Sequence, residues 1–254
     1  MVWLAVIILG LAFGSFLNVC IYRLQRGKSL VKPGSTCPNC GYKIRFLENI
    51  PVLSYLFLRG KCSNCKKPIS LRYPLVEILA ALFSVLLFQQ YGLSPGFIFT
   101  TTFVFLVIII AFIDIDKQII PNGLLIIGII PALFPLVTNG LKGSLSHLLG
   151  GVGLGLCFFM IGSLGKIILR QESMGMGDVK YAALIGLFLG WKLGLLAAGL
   201  AFIIAALLIV ILLPTGKMTM GERIPFGPFL SLGTVIAIIW GPSLIQGYLK
   251  LIVY

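Results

Sequence analysis

The sequence predicts an all-α integral membrane protein of about eight transmembrane helices, with a small zinc-binding loop module in the cytoplasm. Two observations predict the membrane class: 59% of the 254 residues are hydrophobic and only 11% are charged, and the mean hydropathy is +1.08. A soluble domain with this composition would not stay dissolved. The third observation is a polar stretch near the amino terminus that carries two Cys-x-x-Cys pairs and therefore predicts the zinc module.

Eight apolar segments are each close to the roughly 20 residues that a helix needs to cross a bilayer. Glycines at four-residue spacing, such as Gly186, Gly190 and Gly194, predict close packing between these helices. The organisation is a first transmembrane helix at 1–22, a four-cysteine loop at 23–73 and a membrane bundle at 74–254. The predicted spans are 2–20, 74–91, 96–114, 122–138, 147–168, 179–191, 194–213 and 227–247.

The basic residues predict the orientation of the chain. With the amino terminus outside, only Lys142, Lys192 and Lys250 of the 20 lysines and arginines fall outside the cytoplasm. Cytoplasmic loops of membrane proteins carry this excess, so both termini are expected outside and residues 23–73 inside. The same rule explains the net charge of +13, so the expected partner is the lipid bilayer and not nucleic acid. His147, the single histidine, is expected in an outer loop or at the interface.

Residues 23–73, hereafter the cysteine loop, are the only long polar stretch. Cys37 and Cys40 form one pair, Cys62 and Cys65 form the other, and 21 residues separate the pairs. This spacing is typical of a zinc site, because two intervening residues let both thiolates of a pair bind one tetrahedral ion. Four thiolates fill the coordination sphere, which predicts a structural zinc. Disulfides are the weaker alternative, because cytoplasmic thiols stay reduced.

Two of the seven acidic residues end or begin an apolar segment. Asp114 closes the third predicted span, and Asp178 opens the sixth, directly after the glycine pair Gly175 and Gly177. Ionisable groups within membrane segments are functional candidates by default. Both aspartates fall at the cytoplasmic edge of the predicted topology, where they can meet. Two carboxylates in one site suit an aspartyl protease, in which one ionised group activates water and one protonated group donates to the scissile carbonyl.

Other interpretations of the aspartates stay open from the residues alone. Asp116 competes with Asp114, but residues two apart on a helix point in nearly opposite directions, so only one of them can face Asp178. Asp178 also suits a helix N-cap, and Asp114 suits a solvated helix end. A transporter that binds protons or cations at the two aspartates is the second class of function, and an inactive zinc-loop scaffold is the third.

Several ordered motifs carry a resemblance that covers nearly the whole chain. They are Phe13-Gly14-Ser15-Phe16-Leu17-Asn18-Val19, Glu48-Asn49-Ile50-Pro51-Val52-Leu53-Ser54-Tyr55, the two cysteine pairs, Pro68-Ile69-Ser70-Leu71-Arg72-Tyr73-Pro74-Leu75-Val76-Glu77, Asp114 seven residues before Pro121, Gly175-Met176-Gly177-Asp178, and Arg223-Ile224-Pro225-Phe226-Gly227-Pro228. On these residues the chain resembles the type 4 prepilin peptidases, also called leader peptidases. One departure is Asn122, which stands where many members have Asp.

The resemblance implies an intramembrane aspartyl endopeptidase of the bacterial inner (cytoplasmic) membrane. Its substrates are type IV prepilins or pseudopilins, whose short basic leader is cut on the cytoplasmic side. The motif match implies that Asp114 and Asp178 are the catalytic pair. Many members also methylate the new amino terminus using S-adenosylmethionine, and those members carry the cysteine loop, so the resemblance implies that this chain is bifunctional. The same resemblance makes Gly60 and Lys61 candidates for the methyl-transfer site. Methyl transfer is implied by the resemblance only, because no S-adenosylmethionine-binding fold is recognisable in the sequence.

Overall fold

A computed structural model describes residues 1–32, 34–169, 174–215 and 224–253. Arg223 of the last motif lies outside the described residues. The described residues form eight α-helices and no β-strand, with short 3₁₀ turns at Phe46–Asn49 and Leu213–Thr215. The helices are α1 (Val2–Leu24), α2 (Leu53–Phe57), α3 (Arg72–Tyr91), α4 (Pro95–Lys117), α5 (Asn122–Thr138), α6 (Gly140–Leu169), α7 (Met176–Leu212) and α8 (Gly227–Val253).

The predicted all-α membrane fold is confirmed, although the number of spans is approximate. Within the described residues, six helices are long and apolar enough to cross a membrane, namely α1, α3, α4, α6, α7 and α8. Helix α5 is apolar but shorter, with 17 residues. Eight spans result only when α5 is counted and α7 is counted as two. The observed helices otherwise extend the predicted spans by a few residues at their ends.

Helix α7 contains a break that lies inside the predicted sixth span, two residues before the gap at 192–193 that the sequence predicts between the sixth and seventh spans. At Gly190 the backbone leaves the helical region, with φ 76° and ψ 177°, a conformation that glycine adopts without a Cβ clash. Gly190 therefore interrupts the helix in addition to any role in packing. The carbonyl oxygen of Leu187, just before the break, accepts a 3.1 Å hydrogen bond from Nδ1 of His147.

The expectation of a loop position for His147 was wrong. The side chain lies buried in α6, with 8% of its surface exposed. Its second ring nitrogen, Nε2, lies 3.0 Å from the side-chain amide of Asn139. A polar ring is stable in this apolar setting because both of its nitrogens have partners. His147 therefore has a structural role beside the helix break.

The contacts divide the chain into two compact units, Met1–Ile109 and Ile110–Tyr254. In the first unit, α1 packs along α3, and a Cβ on Gly14 would lie 2.5 Å from the Cα of Glu77. Only glycine permits this close approach of two helices. The sequence predicts a division of the chain by function into 1–22, 23–73 and 74–254. The compact units are defined by packing and do not test that division, which stays a prediction.

The second unit is a helical bundle in which α7 packs against α5, α6 and α8. Helices α6 and α7 approach most closely at two facing glycines, because a Cβ on Gly150 would lie 2.5 Å from the carbonyl oxygen of Gly186. Small residues at such crossings allow helices to associate in lipid. Asp114 and the first turn of α7 belong to this same compact unit.

Candidate functional site

Asp114 is a buried carboxylate near the end of α4. Only 4% of its surface is exposed, and Oδ2 accepts a 2.9 Å hydrogen bond from the backbone N–H of Gly227. That N–H belongs to the first residue of α8 and has no acceptor within its own helix. The sequence expectation of a solvated helix end therefore does not describe this residue. Asp116, two positions further along α4, is exposed.

Asp178 lies three residues into α7, after the N-cap Gly175. Its carboxylate accepts a hydrogen bond from the backbone N–H of Gly175, which is half of a capping box. Asp178 therefore stabilises the start of the helix from within the first turn and does not occupy the N-cap itself. Gly177 has ordinary helical geometry, and a Cβ there would meet the side chain of Ile120 at 3.2 Å.

The two aspartates, hereafter the aspartate pair, belong to the same compact unit, and their carboxylates are close enough to interact electrostatically. Asp178 is partly exposed, whereas Asp114 is buried. The pair joins the last turn of α4 to the first turn of α7. Two interacting carboxylates of unequal exposure form an arrangement in which one can hold a proton while the other stays ionised.

A buried network connects the elements around the aspartate pair. Tyr181, one turn after Asp178, is fully buried, and its hydroxyl lies 2.8 Å from Oγ of Ser231 on α8. Ser231 in turn donates a 2.7 Å hydrogen bond to the carbonyl oxygen of Gly227. Because the N–H of Gly227 binds Asp114, the network fixes α7, α8 and α4 around the two carboxylates. Sequence reasoning did not assign site roles to these three residues.

Asn122 begins α5 and interacts with α7 close to the aspartate pair. Its Oδ1 accepts a 3.1 Å hydrogen bond from Nζ of Lys180. An aspartate at this position would pair with the same lysine through its charge, whereas asparagine retains only the hydrogen bond. The departure from the motif therefore changes an exposed contact between α5 and α7.

We expect a Gly227→Ala substitution to disturb Asp114 directly. A Cβ at this position would lie 2.6 Å from Oδ2 of Asp114, so the carboxylate or the start of α8 must shift. A displacement of about 1 Å in a catalytic group can cost roughly 10²-fold in rate. The measurement is the rate of peptide cleavage by the purified variant. Gly247→Ala in the same helix is the matched control, because its Cβ would meet nothing within 4 Å. Equal rates for both variants would contradict this role of Gly227.

The cysteine loop contains two turns of the same design. In the first, Gly41 donates from its backbone N–H to the carbonyl oxygen of Cys37, and in the second Lys66 donates to that of Cys62. Gly41 and Lys66, each following the second cysteine of its pair, both have positive φ. Short antiparallel bridges close each turn, between Thr36 and Lys43 and between Lys61 and Pro68. We call these turns the two knuckles.

The knuckles bring all four predicted ligands together. The Sγ atoms of Cys37, Cys40, Cys62 and Cys65 lie within 4.8 Å of one another, and those of Cys37 and Cys65 are 3.9 Å apart. A tetrahedral zinc with bonds of about 2.3 Å separates its sulfur ligands by about 3.8 Å. A disulfide requires about 2.0 Å. The four thiols therefore fit one zinc ion and are not paired as disulfides.

Backbone donors favour the thiolate form at Cys40 and Cys62. The N–H of Tyr42 lowers the pKa of Cys40 to about 7, and the N–H groups of Cys65 and Asn64 lower the pKa of Cys62. At Cys65 the backbone N–H of Lys67 lowers the pKa, but burial and hydrogen bonds with the other three thiols raise it to about 11. Outside the ligand set, Glu48 accepts hydrogen bonds from the backbone of Arg45 and from Ser63, which lower the pKa of its carboxyl. Metal binding at this site is expected to weaken as the pH falls below 7 and the thiolates become protonated.

We expect one zinc ion per chain, held by Cys37, Cys40, Cys62 and Cys65. A loop of this size has little apolar core, and zinc can supply on the order of 10 kcal/mol of its folding free energy. Elemental analysis of the purified protein measures the stoichiometry, and a Cys157→Ser variant controls for an unspecific effect of thiol removal. A fully active protein without metal, or disulfides among the four cysteines, would contradict this expectation.

Gly60 and Lys61 lie just before the second knuckle. Gly60 is buried with φ 66°, and a Cβ there would lie 2.8 Å from the hydroxyl oxygen of Tyr55. Its carbonyl oxygen accepts a 2.7 Å hydrogen bond from the N–H of Ile69. Lys61 is exposed. The positive φ and the close contact with Tyr55 explain why position 60 is a glycine. The methyl-transfer role of Gly60 and Lys61 stays a prediction.

Two family models match this chain. Residues 8–91 match the Bacterial Peptidase A24 N-terminal domain, and residues 101–210 match the Type IV leader peptidase family. No solved structure matches the chain.

Curated relatives match over nearly their full length and carry the name prepilin leader peptidase/N-methyltransferase. The Pseudomonas putida protein is 36% identical, covering 96% of this chain and 93% of its own. The Pseudomonas aeruginosa protein is 37% identical with 97% and 93% coverage, and the Aeromonas hydrophila protein is 33% identical with 96% and 92% coverage. This chain therefore belongs to the type IV leader peptidase family, whose relatives are named prepilin leader peptidase/N-methyltransferase.

Proposed function

We propose that this protein is an intramembrane aspartyl endopeptidase that removes the basic leader from type IV prepilins or pseudopilins. We further propose that it methylates the new amino terminus with S-adenosylmethionine. The observation that carries the first proposal is the electrostatic contact between Asp114 and Asp178 within one compact unit. The names of the relatives support prepilins as the class of substrate.

Hydrolysis needs two proton transfers that a carboxylate pair can perform. The ionised carboxylate accepts a proton from water as the water attacks the scissile carbonyl, and the protonated carboxylate donates to the carbonyl oxygen. The tetrahedral intermediate then breaks its C–N bond, and a proton passes to the leaving amine. The Gly227 N–H keeps Asp114 oriented through both steps. No covalent enzyme intermediate is required.

The position of the pair favours proteolysis over transport. Asp114 is three residues from the end of α4, and Asp178 is in the first turn of α7. A transport site is expected near the middle of the bilayer. By the positive-inside rule, both helix ends belong to the cytoplasmic side, where a basic leader would arrive. We therefore propose cleavage at that face of the bacterial inner membrane, with both termini outside.

The four cysteines of the two knuckles would hold a structural zinc that organises the cysteine loop. When bound, S-adenosylmethionine would supply an electrophilic methyl group to the neutral pilin amine: an N–C bond forms as the S–C bond breaks, S-adenosylhomocysteine leaves, and the methylated ammonium gives up one proton to water. Gly60 and Lys61 are the positions that the resemblance assigns to this step. The chain's own contribution is to fold the loop, bind the two reactants and exclude water.

The test of the proposed function is incubation of the purified protein with a candidate prepilin in detergent or liposomes. We expect loss of the leader in the absence of any cofactor, and addition of a methyl group only when S-adenosylmethionine is present. Intact prepilin after incubation with folded, zinc-loaded enzyme would contradict the peptidase proposal for that substrate class.

A further inference from the structure

A cavity of about 430 Å³ lies in the first compact unit, outside the aspartate pair. It is bounded by the cytoplasmic ends of the predicted first two spans, α1 and α3, and by both knuckles of the cysteine loop. Pockets for small molecules and cofactors are commonly 300–1,000 Å³ in size. We call it the knuckle cavity. Proteolysis by Asp114 and Asp178 does not use it.

The walls of the knuckle cavity are aromatic, polar and charged, and the charged lining residues are Arg23, Lys28, Glu48, Lys67 and Glu77. Tyr22, Tyr42, Tyr55 and Tyr73 line it, and each ring is half-buried. Flat aromatic faces of this kind stack on nucleobases in a sequence-tolerant way and attract cations. Such a lining suits a ligand that has both a planar ring system and a positive charge.

Glu77 supplies a buried carboxylate to the same cavity. Only 8% of its surface is exposed, and within the described residues it forms no ion pair. Oε2 accepts a 2.7 Å hydrogen bond from the N–H of Val52, and Ser15 on α1 is a second hydrogen-bond partner. A buried charge is costly unless it is paired, so a cationic ligand in the cavity would complete the surroundings of Glu77.

Glu77 is also held rigidly. Val52, which donates to it, has φ 59°, a left-handed conformation that is rare and unfavourable for a β-branched residue. Such strain persists only where the surroundings impose it and is concentrated at functional sites. On the other side, the close approach of Gly14 to the Cα of Glu77 holds the backbone of α3 at this residue against α1. The position of the charge is therefore set before any ligand binds.

We infer that the knuckle cavity is the binding site of the methyl donor, with Glu77 facing its cationic end. The inference rests on the proposed methyl transfer. S-adenosylmethionine combines an adenosine part, which suits the tyrosine walls, with a sulfonium and an ammonium group, which suit Glu77. The zinc then has an indirect role, because the knuckles that it would hold together form one wall of the cavity.

The inference also gives a physical reason for Gly60. Tyr55 reaches the cavity, and its hydroxyl lies against the backbone of Gly60. A side chain at position 60 would displace the Tyr55 ring and change the cavity wall. Gly60 is therefore a positioning residue that acts through Tyr55.

Two substitutions separate charge from shape. Glu77→Gln keeps an oxygen acceptor for the Val52 N–H and removes the charge. Val19→Phe, on the cavity-lining face of α1, fills space and leaves the charge in place. The probes are radiolabelled S-adenosylmethionine and 5′-methylthioadenosine, which keeps the adenosine part but has no charged group. Equilibrium dialysis of purified protein in detergent measures both dissociation constants, and zinc content reports whether the loop is folded.

We expect Glu77→Gln to weaken S-adenosylmethionine binding about tenfold or more, the usual scale of a charge-assisted contact, and to leave 5′-methylthioadenosine binding within about twofold. Val19→Phe should weaken both probes. Asp116→Asn, the matched carboxylate-to-amide control, should change neither. If Glu77→Gln loses zinc, its loop is no longer folded, and the dissociation constants of Val19→Phe for the two probes then test the inference.

Normal affinities for S-adenosylmethionine in zinc-loaded Glu77→Gln and in Val19→Phe would overturn the inference while leaving methyl transfer intact. A wild-type protein that cleaves prepilin but binds neither probe would instead overturn the proposed methyl transfer itself. The failure of the site and the failure of the function therefore give different results.

Discussion

Replacing Asp114 or Asp178 with asparagine should abolish leader cleavage, with a loss of about 10³-fold or more in rate. Asparagine has nearly the same shape but can neither accept the proton of the attacking water nor donate one to the carbonyl oxygen. Proton transfer by a positioned side chain contributes roughly 10² to 10⁴-fold, and the two aspartates act as a unit. The measurement is the cleavage rate of each purified variant on a prepilin substrate in detergent or liposomes.

Asp116→Asn is the matched control for these variants, because Asp116 is on the same helix as Asp114 but is exposed. It should keep substantial activity. A dead Asp116→Asn variant together with an active Asp114→Asn variant would reverse the assignment on α4. Full cleavage activity in both Asp114→Asn and Asp178→Asn would contradict catalysis by the aspartate pair.

Replacing Cys62 and Cys65 with serine should remove methylation and leave at least part of the cleavage activity. The four thiols belong to the cysteine loop, whereas Asp114 and Asp178 belong to the second compact unit. Without two thiolates the zinc affinity falls and the loop loses most of its folding free energy. Some loss of cleavage is expected, because the loop can guide the pilin's amino terminus.

The measurement for the cysteine variant is the ratio of cleaved to methylated pilin, compared with wild type at equal membrane levels. Cys20→Ser serves as a control, because Cys20 is a buried residue of α1 outside the four-thiol cluster. If cleavage disappears while methylation of a pre-cleaved pilin persists, the assignment of the two activities to the two units is wrong.

Most of the fold was predictable because membrane segments have a strong hydropathy signal. Observed helices α5 and α8 begin at the residues where the predicted spans begin, Asn122 and Gly227. The break at Gly190 was not predicted, because glycines at four-residue spacing predict close helix packing and the hydropathy pattern continues the sixth span to residue 191. His147 was misjudged because sequence alone does not reveal that Leu187 and Asn139 supply partners for both ring nitrogens.

The candidate site was only partly predictable. The aspartates and cysteines are chemically distinctive, and their motifs identify them. The role of Gly227 depends on a hydrogen bond between residues 113 positions apart, although its place in the Phe226-Gly227-Pro228 motif was a usable signal. The knuckle cavity also lacks a linear signature, because its walls come from α1, the cysteine loop and α3. Glu77 ends the Pro68–Glu77 motif, but only its burial beside Val52 and Gly14 indicates a binding role.

One measurement tests the central claim, namely that the aspartate pair cleaves and that methyl transfer proceeds without it. Purified, zinc-loaded Asp178→Asn protein is given S-adenosylmethionine and a mixture of uncut prepilin and pre-cleaved pilin, and intact-mass spectrometry then resolves all products. We expect the prepilin to remain uncut and the pre-cleaved pilin to gain one methyl group. Cleaved prepilin in that spectrum, or pre-cleaved pilin left unmethylated under conditions in which wild type methylates it, would contradict the account.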